Sequence, residues 1–462
     1  MAVRARARGR TAARAKGSPA ARTFLDKLTP FFAGEEIAGG PMLIATVLTL
    51  AVVNTAWGPG WQQFWATPLG LDFGGRRTSE TLAEWIDHAL LPLFFIIIGA
   101  DVKRELVKGA LSNWKSASLP LWGALGGMAV PVLLFFVIAG QGEGSAGWGA
   151  VVVTDTAFGL ALLAVFARDF PPGLRAVLLA FAAVDDVGGL FVIAGAYTDQ
   201  VQPIGLAVAA AAFVMMLGLR RLHWVAALPY VVLALAVWAG IFASGIHSTI
   251  AGVLIGLVAP VEPRLDEDAF AERVQERVDA FQDAHRKLQS TGGDDHAHQQ
   301  ARQQVEAKLG YLDEMTTATD VSGDRLVGIL TPWVSYIVLP IFVMSNVHII
   351  LSPDAIAQAF SNTLAPAVAI ALVLGKPMGF LGLTWICTKV GIARLPDRVT
   401  WSMMAAIGGL AGIGFTISLF ISDLAFEEDR LVEQASLGVL TASILSGLIG
   451  YFLLRLQAKR RS

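Results

Sequence analysis

Charge is what this chain has least of. Asp, Glu, Lys and Arg make up 16% of its 462 residues, against about 25% in a soluble domain. The mean hydropathy is +0.59, and apolar runs of about 20 residues, the length that crosses a bilayer, recur along the chain. A soluble globular protein is thereby excluded, because a chain of this size cannot bury so many helices on every side. Cysteine is nearly absent. The single Cys387 excludes an intramolecular disulfide, and its apolar setting makes it an inert filler. With a net charge of −2, no nucleic-acid partner is expected. No ring of charges and no filter repeat is present, which speaks against a passive channel.

What is there is a polytopic pattern. Candidate spans cover about 37–56, 82–102, 117–139, 149–167, 174–197, 203–219, 223–242 and 245–260. After a polar stretch they resume at about 326–350, 363–388, 401–424 and 433–455. Lys and Arg crowd the loops after even-numbered spans, including Lys103, Arg104, Lys108 and Lys115. Loops after odd-numbered spans hold only Arg76, Arg77 and Arg430. By the positive-inside rule, twelve spans with both termini cytoplasmic fit this bias.

The expected organisation has five parts. Residues 1–34 form a basic cytoplasmic tail, with eight Lys/Arg and one acid in 1–28. Residues 35–260 carry spans one to eight, with an external β-hairpin in 57–81, where apolar residues alternate around FGG. Residues 261–325 form a charged cytoplasmic insert, read as a helical hairpin from the spacing of Phe270, Val274, Val278, Phe281 and Leu288. Its His285, His296 and His298 have polar flanks and read as solvated. Residues 326–455 carry spans nine to twelve, and 456–462 form a second basic tail.

The chemistry-bearing residues are the few charges inside the spans. Asp185 and Asp186 sit in the middle of span five, in FAAVDDVGGL. An ionised carboxylate at that depth costs about 2.5–3.5 kcal/mol on insertion scales, so such groups are functional by default. Successive helical residues point about 100° apart. One carboxylate therefore faces a cation site and the other a neutralising partner. Thr154, Asp155 and Thr156 in VVVTDTAFGL weaken span four locally, since such side chains compete for backbone groups. Gly408, Gly409, Gly412 and Gly414 precede Thr416 in span eleven, as a close-packing surface or as an unwound stretch.

Position favours the second reading. Span four is the middle of spans three to five, and span eleven the middle of spans ten to twelve. The two triplets have opposite topology, and interrupted helices at matching places in inverted repeats point to a transporter site. That rule was drawn in part from the family named below, so its agreement is not independent. Lys376 lies within span ten, between Gly375 and Pro377. A lone ammonium there calls for a carboxylate from span five, in an ion pair that takes part in transport or is purely structural. Asp101 and Glu105 lie one turn apart at the inner end of span two. They read equally as an acidic mouth for cations and as neighbours of topology charges. His247, opening span eight, reads as a satisfied interfacial residue.

These residues together resemble the NhaA-type sodium/proton antiporters of prokaryotic inner membranes. The likeness runs from about Glu35 to Leu454 outside the insert. It rests on FFIIIGADVKREL, TDTAFGLALL, DDVGGL, SGIHSTIAGV, PWVSYIVLPIF, LGKPMG and GIGFTISLFISDLAF. The resemblance implies an all-α polytopic membrane protein of about twelve helices, with inverted repeats and two crossing interrupted helices. It implies that Asp186 binds the transported cation. Asp155 and Thr154 would then lie at the crossing, and Asp185 would pair with Lys376. Gly412, Gly414 and Thr416 would supply the opposing chain break. Asp101, Glu105 and Arg325 are placed at the cytoplasmic mouth. It further implies exchange of sodium or lithium for more than one proton, with Asp186 and Asp155 as ligands of the transported sodium. No cofactor is implied, and the expected form is a homodimer joined through the hairpin.

The chain departs from that pattern in places. Asp101 stands where well-known members have glutamate. Val327, Gly328 and Thr331 replace a glutamate and two histidines linked to pH sensing in enteric members, and the insert is additional. Two other classes stay open. A sodium-coupled symporter of similar fold would share most of these features. An intramembrane aspartyl protease could use Asp155 with Asp185 or Asp186, but Lys376 and the lack of a GxGD string oppose it.

Overall fold

The computed structural model describes residues 39–73, 76–166, 170–198, 201–222, 224, 226–260 and 322–459. The tail 1–34 and almost all of the predicted insert lie outside these residues.

Helix α1 (Gly39–Val53) meets α2 (Gly58–Trp65) at 118°. The corner requires glycine, because a Cβ at Gly58 would fall on the Val53 carbonyl. Helix α2 has no counterpart in the sequence reading, which expected only loop and hairpin there. Strands β1 (Pro68–Phe73) and β2 (Arg76–Thr81) pair antiparallel, Pro68 opposite Thr81 and Phe73 opposite Arg76. Thr81 and Glu84 then form a reciprocal capping box that starts α3 (Leu82–Val107).

Helix α4 (Trp114–Ala139) follows. A 3₁₀ segment, Glu143–Val151, then runs into extended backbone, and α5 (Thr156–Val165) resumes the helix. Next come α6 (Pro172–Ala196), α7 (Pro203–Arg221), α8 (Ala227–Ala243) and the short α9 (Thr249–Val258). His247 lies in the turn before α9 rather than in a helix. The C-terminal carbonyls of α9 are capped by Lys103 Nζ on Leu257 at 2.5 Å and by Arg220 on Val258 at 3.0 Å. Lys103, read in the sequence as a topology charge, and Arg220 thus hold a helix end.

The last stretch comprises α10 (Arg325–Asn346), α11 (Pro353–Ser361), α12 (Leu364–Val390), the bent pair α13 (Trp401–Ala411) and α14 (Phe415–Ala425), and α15 (Asp429–Lys459). The α13–α14 bend is 42°.

Three π turns, Ile86–Leu90, Val334–Val338 and Ala371–Gly375, each stand two residues before a proline: Pro92, Pro340 and Pro377. Proline lacks an N–H and its ring crowds the carbonyl four residues back. Widening the turn relieves that clash. At Pro92 the freed carbonyl is that of His88. It accepts instead from Trp238 Nε1 at 2.6 Å and from the Ser248 hydroxyl at 2.9 Å.

Helices α4 and α12 cross through glycine. A Cβ on Gly126 would fall on the Gly379 carbonyl, and one on Gly379 would fall on the Gly126 carbonyl. Gly375 lies against Pro131 in the same seam. Close backbone approach at small residues is a usual way to pack helices in a bilayer. Here it brings Lys376, between those two glycines, into the interior.

Two apolar clusters form the core. One takes Leu174, Val177, Leu178 and Phe181 from the first half of α6, with Phe380 and Leu410. The other takes Leu190 and Ile193 from its second half, with Leu372 and Phe415. Asp185, Asp186, Lys376 and the α13–α14 break fall between them. Outward faces carry exposed apolar side chains such as Val137, Phe191, Ile204 and Leu228. Among the described residues, seven helices are long and apolar enough to cross a membrane, or nine if each bent pair is one span.

Candidate functional site

The site is built where two interrupted stretches touch α6 and α12. Asp185, Lys376 and Thr154 are buried, as are Asp155, Thr416 and Asp186. Lys376 Nζ lies 2.8 Å from Asp185 Oδ2 and donates to Thr154 Oγ1 at 2.6 Å. The Thr154 N–H donates to the same Asp185 oxygen at 2.6 Å. Lysine, carboxylate and threonine thus form a closed triangle.

The two breaks are stitched to each other. The Thr154 hydroxyl donates to the Ala411 carbonyl at 2.8 Å, and the Asp155 N–H donates to the Ile413 carbonyl at 2.6 Å. In return the Thr416 N–H donates to Asp155 Oδ2 at 3.0 Å, and the Thr416 hydroxyl bonds the same oxygen. The negative end of α13 therefore meets donors from the first break. The positive end of α14 meets a carboxylate, which is the favourable sense for both helix dipoles. Asp155 thus caps a broken helix from another part of the chain, α14. Gly412 and Gly414, in the break itself, are tightly enclosed. A Cβ at Gly412 would fall on the Ser446 hydroxyl, and one at Gly414 on the Ser418 hydroxyl.

Asp186 differs from its neighbour. It lies on the same helix but makes no contact with Lys376 within ion-pair distance, as the angle between successive residues requires. Its Oδ1 is buried and has no hydrogen-bond partner among the described residues, and the same holds for Asp185 Oδ1. Asp186 is electrostatically coupled to Asp185, Asp155 and Lys376. A buried carboxylate oxygen without a partner is costly unless a proton or a cation occupies it. The donor set of carboxylate, hydroxyl and carbonyl oxygens suits a hard cation.

Other residues singled out in the sequence are not among the bonded groups just described, although Asp101 is close enough to act on Asp186 electrostatically. Asp101 is half exposed, 3.8 Å from Arg104. Glu105 turns back to accept the Ala110 N–H at 2.9 Å, closing the end of its own helix. Arg325 is exposed at the start of α10. His247 is buried rather than interfacial, with Nδ1 3.1 Å from Thr249 Oγ1 and its ring against His88 and Phe420.

Sequence reasoning missed Met42, whose sulfur lies 3.4 Å from Thr416 Oγ1. A buried methionine carries no signal that distinguishes it from core. It also passed over Asp87, which accepts from Asn346 at 3.0 Å. There a signal existed, an acid inside an apolar span.

A family model described as Na+/H+ antiporter 1 matches residues 29–454. The protein named Na(+)/H(+) antiporter NhaA of Syntrophobacter fumaroxidans is 38% identical over 432 residues, covering 93% of this chain and 90% of that one. Na(+)/H(+) antiporter NhaA 3 of Frankia alni is 35% identical over 449 residues, covering 96% and 92%. Na(+)/H(+) antiporter NhaA of Bordetella petrii is 35% identical over 425 residues, covering 92% and 89%.

Proposed function

This chain belongs to the Na+/H+ antiporter 1 family, a family of transporters rather than enzymes, and on that premise we propose that it exchanges cytoplasmic sodium, or lithium, for external protons across a prokaryotic inner membrane. The observation that carries the reading is the buried, unpartnered carboxylate oxygen of Asp186 beside the stitched helix breaks.

The mechanism is competition for oxygens. Asp186 takes either a proton or a dehydrated sodium, and Asp155 and Thr154 complete the ligand set. Lys376 offsets the charge of Asp185, so the two remaining acids decide the charge of the site. Sodium on two carboxylates leaves a net negative charge, whereas protons on both leave none. Exchange of more than one proton per sodium is then electrogenic. Rocking of the broken helices would expose the site to one side at a time.

We assign the chain twelve crossings in two inverted repeats, spans three to five and ten to twelve. Support comes from the seven long helices, the two bent pairs, the shorter α8 and α9, and the broken segment ending in α5. The Lys/Arg bias of the loops supports a cytoplasmic position for both termini. Asp101, Glu105 and Arg325 then lie at the cytoplasmic mouth, and the hairpin lies outside, where it would join a homodimer.

The test is uptake of radioactive sodium into proteoliposomes driven by an imposed pH gradient. Uptake should occur, and should speed up or slow down with an applied membrane potential. Uptake indifferent to potential would overturn electrogenic exchange, and no uptake would overturn exchange itself.

A further inference from the structure

The Glu143–Val151 segment delivers Thr154 and Asp155 to the site, yet little within it holds its shape. It is nine residues of 3₁₀ helix, and runs longer than about 3–4 residues are uncommon because the hydrogen-bond geometry is poor. Its sequence, EGSAGWGAV, contains three glycines. Its shape is therefore set by what it packs on. Gly144 seats on Leu364, Gly147 on the Phe426 ring and Gly149 on the Tyr197 phenol.

Tyr197 does more than fill space. It lies immediately after α6, the helix that carries Asp185 and Asp186. Its hydroxyl donates to the Ala146 carbonyl at 2.7 Å and accepts the Gly149 N–H at 3.1 Å. Ala146 and Gly149 are three residues apart, the pair whose carbonyl and amide face each other across a 3₁₀ turn. The phenol oxygen thus joins the hydrogen-bond ladder from the side. The Trp148 ring stacks on the tyrosine, with centroids 6.5 Å apart. Four residues beyond Gly149, Val153 fits a notch on the same α6, where a Cβ at Gly189 would collide with it. Next to it the Thr154 N–H meets Asp185.

We infer that the Tyr197 hydroxyl is a positioning group for the exchange site: it fixes the axial register of the 3₁₀ segment, and so where Thr154 and Asp155 meet α6 and the second broken helix. The inference rests on the proposed exchange function. Register matters because each residue that passes from 3₁₀ to α geometry shortens the segment by about 0.5 Å. A few such residues would carry Thr154 out of reach of Asp185.

Two variants test the clamp. Tyr197→Phe keeps the ring and its stacking and removes only the oxygen. Gly149→Ala puts a methyl where the oxygen lies. Each should raise the KM for sodium about fivefold, the loss expected from one hydrogen bond, with the maximal rate per folded protein within about twofold. The double variant should shift KM no further than the larger single shift. Amide exchange across residues 149–155 should rise in Tyr197→Phe whether or not the protein transports. A merely structural tyrosine would instead lower the folded amount and leave KM alone. Tyr197→Phe with wild-type KM, or with unchanged exchange at 149–155, overturns the inference. If Tyr197→Phe does not fold, wild-type KM in Gly149→Ala does the same. Failure of the wild-type protein to exchange sodium counts against the function instead, and the amide-exchange result still decides the clamp.

Discussion

At the residue scale, two neighbouring aspartates have different surroundings because a helix turns about 100° per residue. Asp185 is engaged on one oxygen by Lys376 and the Thr154 N–H, whereas Asp186 has no ion pair with Lys376, and each carries one buried oxygen without a partner among the described residues. Their variants should therefore separate. Asp186→Asn should fold and lose sodium-dependent proton movement altogether; appreciable flux in that variant would contradict the assignment. Lys376→Ala leaves Asp185 buried without its cation. Breaking such a pair typically costs about 3–5 kcal/mol, which thermal melting in detergent should register as a clear drop. An unchanged melting temperature would count against a stabilising role for the pair. Asp155, Asp185, Asp186 and Lys376 were legible in the sequence because charge inside an apolar run stands out. The bonds that organise them were less so. Nothing in the sequence says that the Lys376 ammonium reaches Thr154 as well as Asp185, or that Tyr197 bonds the backbone of another span. Those depend on which helices meet.

At the element scale, the backbone breaks and the glycine seam set the geometry. Gly126 and Gly379 leave no space for a side chain at the α4–α12 crossing. Gly126→Val should push the helices apart, displace Lys376 and destabilise the fold by about 1–3 kcal/mol, the usual range for overpacking. A wild-type melting temperature in that variant would show that the seam is looser than described. The hairpin offers a pH test. Burial, with the nearby Glu84 carboxylate, holds Glu80 above its ordinary value. The folded hairpin then binds a proton more readily than the unfolded one, so its stability should fall as pH rises through that raised value. Glu80→Gln should remove this dependence, read as protease nicking of residues 68–81 compared between acid and neutral pH. Equal pH dependence in both proteins would rule Glu80 out as the cause. The breaks at TDT and at the glycine cluster were readable as local helix weakness. The 3₁₀ segment was not, since a glycine-rich stretch has little preference of its own and takes its shape from Leu364, Phe426 and Tyr197. The π turns had a readable cause in Pro92, Pro340 and Pro377, but a proline permits a kink as readily as a widened turn.

At the scale of the whole molecule, a thin polar layer is enclosed by two apolar clusters, and the outer faces of the helices are apolar as well. Hydropathy made this arrangement legible, because the scarcity of charge leaves lipid as the natural surroundings. It did not reveal the corner at Gly58 or the capping of α9 by Lys103 and Arg220, since hydropathy carries no direction. Such a layer can serve exchange only if an alkali cation and protons displace each other there. The most direct measurement is made in everted membrane vesicles, acidified inside by respiration and loaded with a pH dye. Adding sodium should promptly restore the dye's fluorescence in vesicles with the wild-type protein, over part of the pH range, and should not do so with Asp186→Asn. No sodium-evoked recovery at any pH from folded wild-type protein, or equal recovery with Asp186→Asn, would contradict it.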